Sequence, residues 1–173
     1  MPLPFRALMG MDKKIAGLPQ WSEPDGPDKG IRLAASLDVG EATLQGLELI
    51  GRARIDSPQA DISFSLTYFP TSSRRDAVSL ARLDWRPRTS HTNNDEHSPP
   101  ALFMVEISGT HHHSFELNWL SAHGRPLKWL PVAEPINPDF QGFIDLLDGV
   151  GKIFRINDIG VIPEPSWAQD LFS

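Results

Sequence analysis

Three stretches of this chain alternate apolar and polar residues at a period of two, and one later stretch repeats at 3.6. That order constrains the fold more than any other feature. Ile31, Leu33, Ala35, Leu37 and Val39 alternate with Arg32, Ala34, Ser36 and Asp38. Leu47, Leu49, Gly51, Ala53 and Ile55 alternate with Glu48, Ile50, Arg52 and Arg54. Ile62, Phe64, Leu66 and Tyr68 alternate with Asp61, Ser63, Ser65 and Thr67. Successive side chains of a strand face opposite ways, so each run predicts a strand with one buried face. Gly40 and the break at Asp56-Ser57-Pro58 supply turns, which favours an antiparallel meander. A fourth strand is predicted over 78–85. Its phase changes near Ala81, which reads as a bulge or as a strand covered on both faces. Fifth and sixth strands are predicted over 102–107 and 111–120, with Ser108-Gly109-Thr110 as the turn.

The last third changes period. Asn137 can cap a helix with Pro138 at its first position and Asp139 in its first turn. Phe140, Phe143, Ile144, Leu147, Val150 and Phe154 then form an apolar stripe, predicting an amphipathic helix over 138–149. Residues 153–156 read as a short closing strand, and 165–172 as one or two terminal helical turns. Residues 1–30 are rich in proline and glycine and read as an extended lead-in, with a short element around 13–18. Strands followed by one main helix imply a single α+β domain. Its sheet spans 31–120, about six antiparallel strands, as a curved sheet or partly open barrel. The helix and closing segment occupy 137–156.

Composition excludes several classes of function. The 173 residues include no cysteine, which removes disulfides, thiolate metal sites and cysteine nucleophiles and suits a reducing cytosol. No apolar run approaches the roughly 18 residues of a membrane span, and the N-terminus lacks a signal-peptide pattern. A cytoplasmic protein with no membrane partner is the expectation. The formal charge of −6 disfavours a generally basic nucleic-acid-binding surface but leaves room for a local basic patch.

Chemistry concentrates in two segments. His111, His112 and His113 are consecutive and make up half of the six histidines. His91-Thr92-Asn93-Asn94-Asp95-Glu96-His97 lies just upstream, in a stretch of 14 residues or so without period, the kind of loop that carries function. On a strand, His111 and His113 share a face with Phe115, Leu117 and Trp119, which predicts that this face looks inward. Two histidines at i and i+2 can hold one metal, with a third ligand from His91, His97, Asp84 or Asp95; zinc, iron or nickel suits such a set. The same residues suit acid–base catalysis, and they also suit plain core or rim packing. His111-x-His113 with Glu116 is similar to the first motif of cupins, but the glutamate comes too soon and the second motif is missing. Arg82 and Arg86 flank the histidine segment and could clamp a phosphate while histidine moves protons.

Arg82-Leu83-Asp84-Trp85, then His91-Thr92-Asn93, then His111-His112-His113, then Leu130-Pro131 resembles a group of small uncharacterised prokaryotic and phage domains over residues 78–156. The resemblance implies that His91, Asn93, His111 and His113 matter, and it implies mobile-element or defence biology. Two functions follow as expectations. The first is a histidine-dependent hydrolase of a phosphodiester or nucleotide. Its catalytic residues are His91, His111 and His113; Arg82, Arg86 and Asn93 bind; and His111 and His113 are ligands to a divalent metal such as zinc. The second is a non-enzymatic acidic module that sequesters or inhibits a protein partner.

Overall fold

The computed structural model describes residues 5–27, 29–121 and 129–167. The fold is α+β. Helix α1 (Phe5–Gly10) precedes strand β1 (Lys13–Ile15); β2 (Gly30–Val39), β3 (Ala42–Arg54), β4 (Ile62–Tyr68) and β5 (Val78–Trp85) then follow as an antiparallel meander. Strands β6 (His91–Thr92) and β7 (Glu106–Ile107) pair with each other in a small separate sheet. Strand β8 (His111–His113), helix α2 (Phe115–Ser121), strand β9 (Glu134–Pro135) and helix α3 (Phe143–Phe154) complete the order. The main sheet has seven strands in the order β1-β2-β3-β4-β5-β8-β9, with antiparallel neighbours throughout, and it does not close: β1 and β9 are its edges. No helix among the described residues is long and apolar enough to cross a membrane.

Strand register explains how one sheet serves both core and site, because paired residues share a face. Leu33, Gly51, Phe64, Leu83 and His112 form one row across β2, β3, β4, β5 and β8. This row faces the core, where Phe143, Leu146, Leu147, Val150 and Phe154 of α3 pack. Gly51 is needed in that row: a Cβ there would stand 2.8 Å from the Trp21 ring. The next row, Arg32, Arg52, Ser63, Asp84 and His111, lies on the opposite face. The phase change near Ala81 is a bulge: the register shifts so that Leu66 pairs with Ala81 but Thr67 pairs with Ser79. Leu80 is the extra residue, and both Leu80 and Ala81 are buried.

Several expectations need correction. Residues 102–107 are a strand only at Glu106–Ile107; Leu102 N–H bonds back to Pro99 O, so the apolar residues 102–105 form turns. The sixth strand stops at His113. Ser114 Oγ accepts from Leu117 N–H, an N-cap that starts α2, and Phe115 stacks on Trp119 one turn later. Period two and i, i+4 both fit Phe115 and Trp119, and the cap decides between them. The main helix is Phe143–Phe154, later than 138–149. Asp139 is occupied by Thr110 and Arg86, and Phe140 O by Arg86, so residues 139–140 are held out of the helix. Gln59 Oε1 accepts from Phe143 N–H in place of an Asn137 cap. Ile153 lies inside the helix, and Ile156 makes only an isolated parallel bridge to Lys13. In the lead-in, β1 falls within the short element expected around 13–18 and joins the sheet edge, whereas α1 replaces extended chain at its start. Of the expected terminal turns, residues 168–172 lie outside the described residues.

Candidate metal centre and the polar face beside it

Asp84 on β5 pairs with His111 on β8, and Arg82 pairs with His113. All four residues therefore share the face opposite the core. The inward face of β8 belongs instead to His112, whose ring lies 6.3 Å from Phe154; burial, then the neighbouring His113, lower its pKa to about 4. His111 and His113 are 2% and 0% exposed even so, because a second layer covers them.

That layer is positioned by two buried asparagines. Asn93 Nδ2 donates to Ala133 O at 2.9 Å, and Ala133 N–H donates to Asn93 Oδ1 at 2.8 Å. Asn118 does the same at Val132, with both bonds at 2.9 Å. Each amide imitates a neighbouring strand and satisfies backbone groups that burial would otherwise leave unpaired. The clamped segment presents Pro131 O to His91 Nε2 at 2.8 Å. His91 then packs on the pair, its ring centroid 4.8 Å from that of His113 and 5.8 Å from that of His111.

At the centre, Asp84 Oδ2 lies 3.2 Å from His111 Nε2 and 3.3 Å from His113 Nε2. One ligand atom from each of Asp84, His111 and His113 falls within 4.8 Å of the others, so the three form a group that can hold a metal ion. Arg82 closes the cluster: Nε donates to Asp84 Oδ2 and Nη2 to His113 Nε2, both at 2.8 Å. Burial works to raise the Asp84 pKa, but His111 and His113, which donate to it when their Nε2 atoms are protonated, and the Arg82 charge hold it well below the usual carboxylate range. Burial lowers the His113 pKa, opposed by the nearby Asp84 carboxylate, which favours a protonated ring.

Hydrogen positions follow from partners. His111 Nδ1 faces Gly109 O at 2.8 Å, so Nδ1 carries the proton and a neutral ring leaves Nε2 bare. His113 Nε2 accepts from Arg82, a group that can only donate, so the proton of a neutral His113 sits on Nδ1, which is buried without a partner. Three lone-pair atoms thus converge: Asp84 Oδ2, His111 Nε2 and His113 Nε2.

The structure brings His91, His111, His113 and Arg82 together, and of the four candidates for a third ligand Asp84 is the one in place. Asn93 sits in the supporting layer. Arg86 turns to Asp139 Oδ2 at 2.6 Å and lies over the Trp85 ring, bonded away from the cluster. Asp95 binds the His97 backbone N–H, and His97 lies beside Glu96.

Sequence reasoning missed the surface next to the cluster. A groove of about 410 Å³ runs over the same face, and Arg32, Arg52, Arg74, Arg82, Ser63 and Ser65 line it. Asp84 and Trp129 also line it, Trp129 with 68% of its surface exposed. Burial, then the charges of Arg74 and Arg52, lower the Arg32 pKa, with Glu48 opposing. The signal was available: Arg32, Arg52, Ser63, Ser65 and Arg82 are the polar partners in the period-two runs, and register makes them neighbours. No protein family, curated protein or solved structure matches this chain.

Proposed function

We propose that this protein is a metal-dependent hydrolase acting on a phosphoester, its ion held by Asp84, His111 and His113. The observation that carries the reading is the convergence of three lone-pair atoms. Metal–ligand bonds of about 2.0–2.1 Å at a tetrahedral angle separate ligand atoms by roughly 3.3 Å, close to the 3.2 and 3.3 Å between Asp84 Oδ2 and the two Nε2 atoms. A hydrogen bond gives similar separations, so distance does not choose. The tautomer narrows the options: with its proton committed to Gly109 O, neutral His111 has none to offer Asp84, so the contact calls for a cation or for a second proton on the ring. A cation between them removes the repulsion. The Gly109 bond is also the outer-shell contact that orients metal-binding histidines.

Two imidazoles and a carboxylate suit zinc or a similar divalent ion, which activates water and polarises a phosphoryl oxygen when bound. Arg82 would then release Asp84 and His113 and turn into the groove it already lines, where its fork can bind a phosphate. His91 supports the ligand pair through packing. The cysteine-free chain suits the cytosol, and the mobile-element setting implied by the resemblance belongs to this reading.

A second reading rests on Arg82 itself. Its guanidinium already supplies one cation to Asp84 and His113, so a metal-free acid–base site built on His111 and His113 is the alternative. Metal analysis of untagged protein separates the two. The metal reading expects about one zinc, manganese or nickel ion per chain, loss of that ion in His111→Ala/His113→Ala, and phosphodiester hydrolysis that stops with chelator. Hydrolysis unaffected by chelator moves the assignment to the metal-free site. Absence of both metal and turnover would overturn both and leave a binding module.

A further inference from the structure

We propose that the arginine face of β2 and β3 is a binding site for single-stranded nucleic acid, gripping a phosphate one position away from the bond presented to Asp84. The cleavage step rests on the reading above, whereas the binding site does not.

Arg32 and Arg52 are direct cross-strand partners, and Arg74 reaches the same groove from the 3-10 turn at Arg74–Asp76. Neither Arg32 nor Arg52 is in an ion pair among the described residues, and Arg74 has Glu48 at 4.0 Å and lies over the Phe69 ring. Four of the chain's sixteen Lys and Arg residues therefore line one groove in a protein of net charge −6. Like charges crowded this way repel one another, and an anion between them relieves that repulsion. The Ser63 and Ser65 hydroxyls line the floor of the groove between the arginines and Asp84. They can donate to phosphate oxygens.

Geometry selects the ligand class. Arg52 lies two strands from Asp84 in one row, and neighbouring strands are about 4.8 Å apart, so the two positions are separated by roughly 10 Å. A phosphate held at the Arg32–Arg52 end leaves a second position free beside Asp84, and a ligand that fills both carries at least two phosphate groups along a chain. Trp129, largely exposed in the same groove, offers a platform on which a base can stack, as aromatic side chains do in single-strand binders. A groove of about 410 Å³ is too small for a duplex and large enough for a nucleotide-sized unit.

The test is anisotropy of fluorescent ten-nucleotide oligo-dT and oligo-U strands with wild-type protein, Arg32→Ala/Arg52→Ala and Asp84→Ala, in chelator. Wild-type binding should weaken with salt. The arginine pair variant should bind at least about tenfold more weakly, with a salt slope shallower by roughly 1.4, the value for two lost phosphate contacts on a single strand. Asp84→Ala removes a negative charge from the groove and frees Arg82, so it should bind the strand more tightly than wild type, although it loses metal. Opposite outcomes in the two variants separate this site from the metal centre. Thermal melts check that both fold. Trp129→Ala should lose affinity for the strand and not for inorganic phosphate. Unchanged affinity in the arginine variant would overturn the proposal. Competition by inorganic phosphate or mononucleotide as effective as that by the strand would also overturn it, as would preference for a duplex.

Discussion

Asp84 Oδ2 faces His111 Nε2 at 3.2 Å while Gly109 O holds the proton of that ring on its far nitrogen, so two acceptors confront each other in a nearly closed site. The repulsion is relieved by a metal ion or by a second proton on His111.

The first prediction concerns that contact. Zinc at a hundredfold excess over its dissociation constant should stabilise the wild-type fold by about 2.7 kcal/mol through mass action. Asp84→Asn exchanges the anionic ligand for an amide, which can donate to His111 Nε2. Its affinity for zinc should fall more than tenfold, and the thermal shift on adding zinc should nearly vanish. Equal shifts in the two proteins would place the ion elsewhere.

A second prediction tests the layer over the histidines. Asn93→Ala leaves the Ala133 N–H and C=O without partners, and Asn118→Ala does the same at Val132. Each should destabilise by about 1–3 kcal/mol, the penalty for an unsatisfied buried group. The two amides clamp adjacent residues of one segment, so the double variant should lose less than the sum of the singles. Both singles should also weaken metal binding, since His91 is held by Pro131 of the same segment. Strict additivity, with metal affinity intact, would show that the layer does not support the centre.

Much of the sheet was legible because its residues obey one period. The runs at 31–39, 47–55 and 62–68 became β2, β3 and β4, and the phase slip at Ala81 became a bulge. What was not legible depended on partners distant in sequence. Asn137 has the chemistry of a helix cap, yet the start of α3 is decided by Gln59 from the β3–β4 connection and by Arg86 holding Asp139 and Phe140. His91, His111 and His113 were readable as residue types, and register alone makes Asp84 their partner. The arginine face stayed hidden because Arg32, Arg52 and Arg82 are spread over 51 positions and become neighbours only through strand pairing.

The third prediction separates two residues of the expected stripe on α3. Phe143 is buried in the core, whereas Ile144 is 77% exposed. Phe143→Ala should lose about 3–5 kcal/mol. Ile144→Ala should stay within about 0.5 kcal/mol of wild type, as exposed substitutions do. Urea denaturation of the two variants measures the contrast; comparable losses would mean that α3 is rotated.

The last prediction is a pH dependence, and it rests on Lys13. Its ammonium is buried at the end of α3, where it donates to Phe154 O at 3.1 Å and to Met11 O at 2.8 Å. The carbonyl end of a helix favours a cation there. Burial nevertheless dominates, and with Arg155 adding to it and Asp12 opposing, it pushes the Lys13 pKa down to about 8 from 10.5. The sign follows from proton counts. Between pH 8 and 10.5 the unfolded lysine holds a proton that the folded one has released, so the contribution of this group to stability rises with pH. Below pH 8 both states are protonated and the contribution is flat. Lys13→Met removes the titration and keeps an apolar stem of similar length, which cancels the other groups that ionise in this range. The unfolding free energy of wild type minus that of Lys13→Met should be constant from pH 6 to 7.5. It should then climb towards pH 10 with a slope approaching about 1.4 kcal/mol per pH unit. Urea melts at half-unit steps give the curve. A difference that stays flat up to pH 10 would mean that Lys13 is charged in the folded state at an ordinary pKa, and that the helix end and Asp12 outweigh its burial.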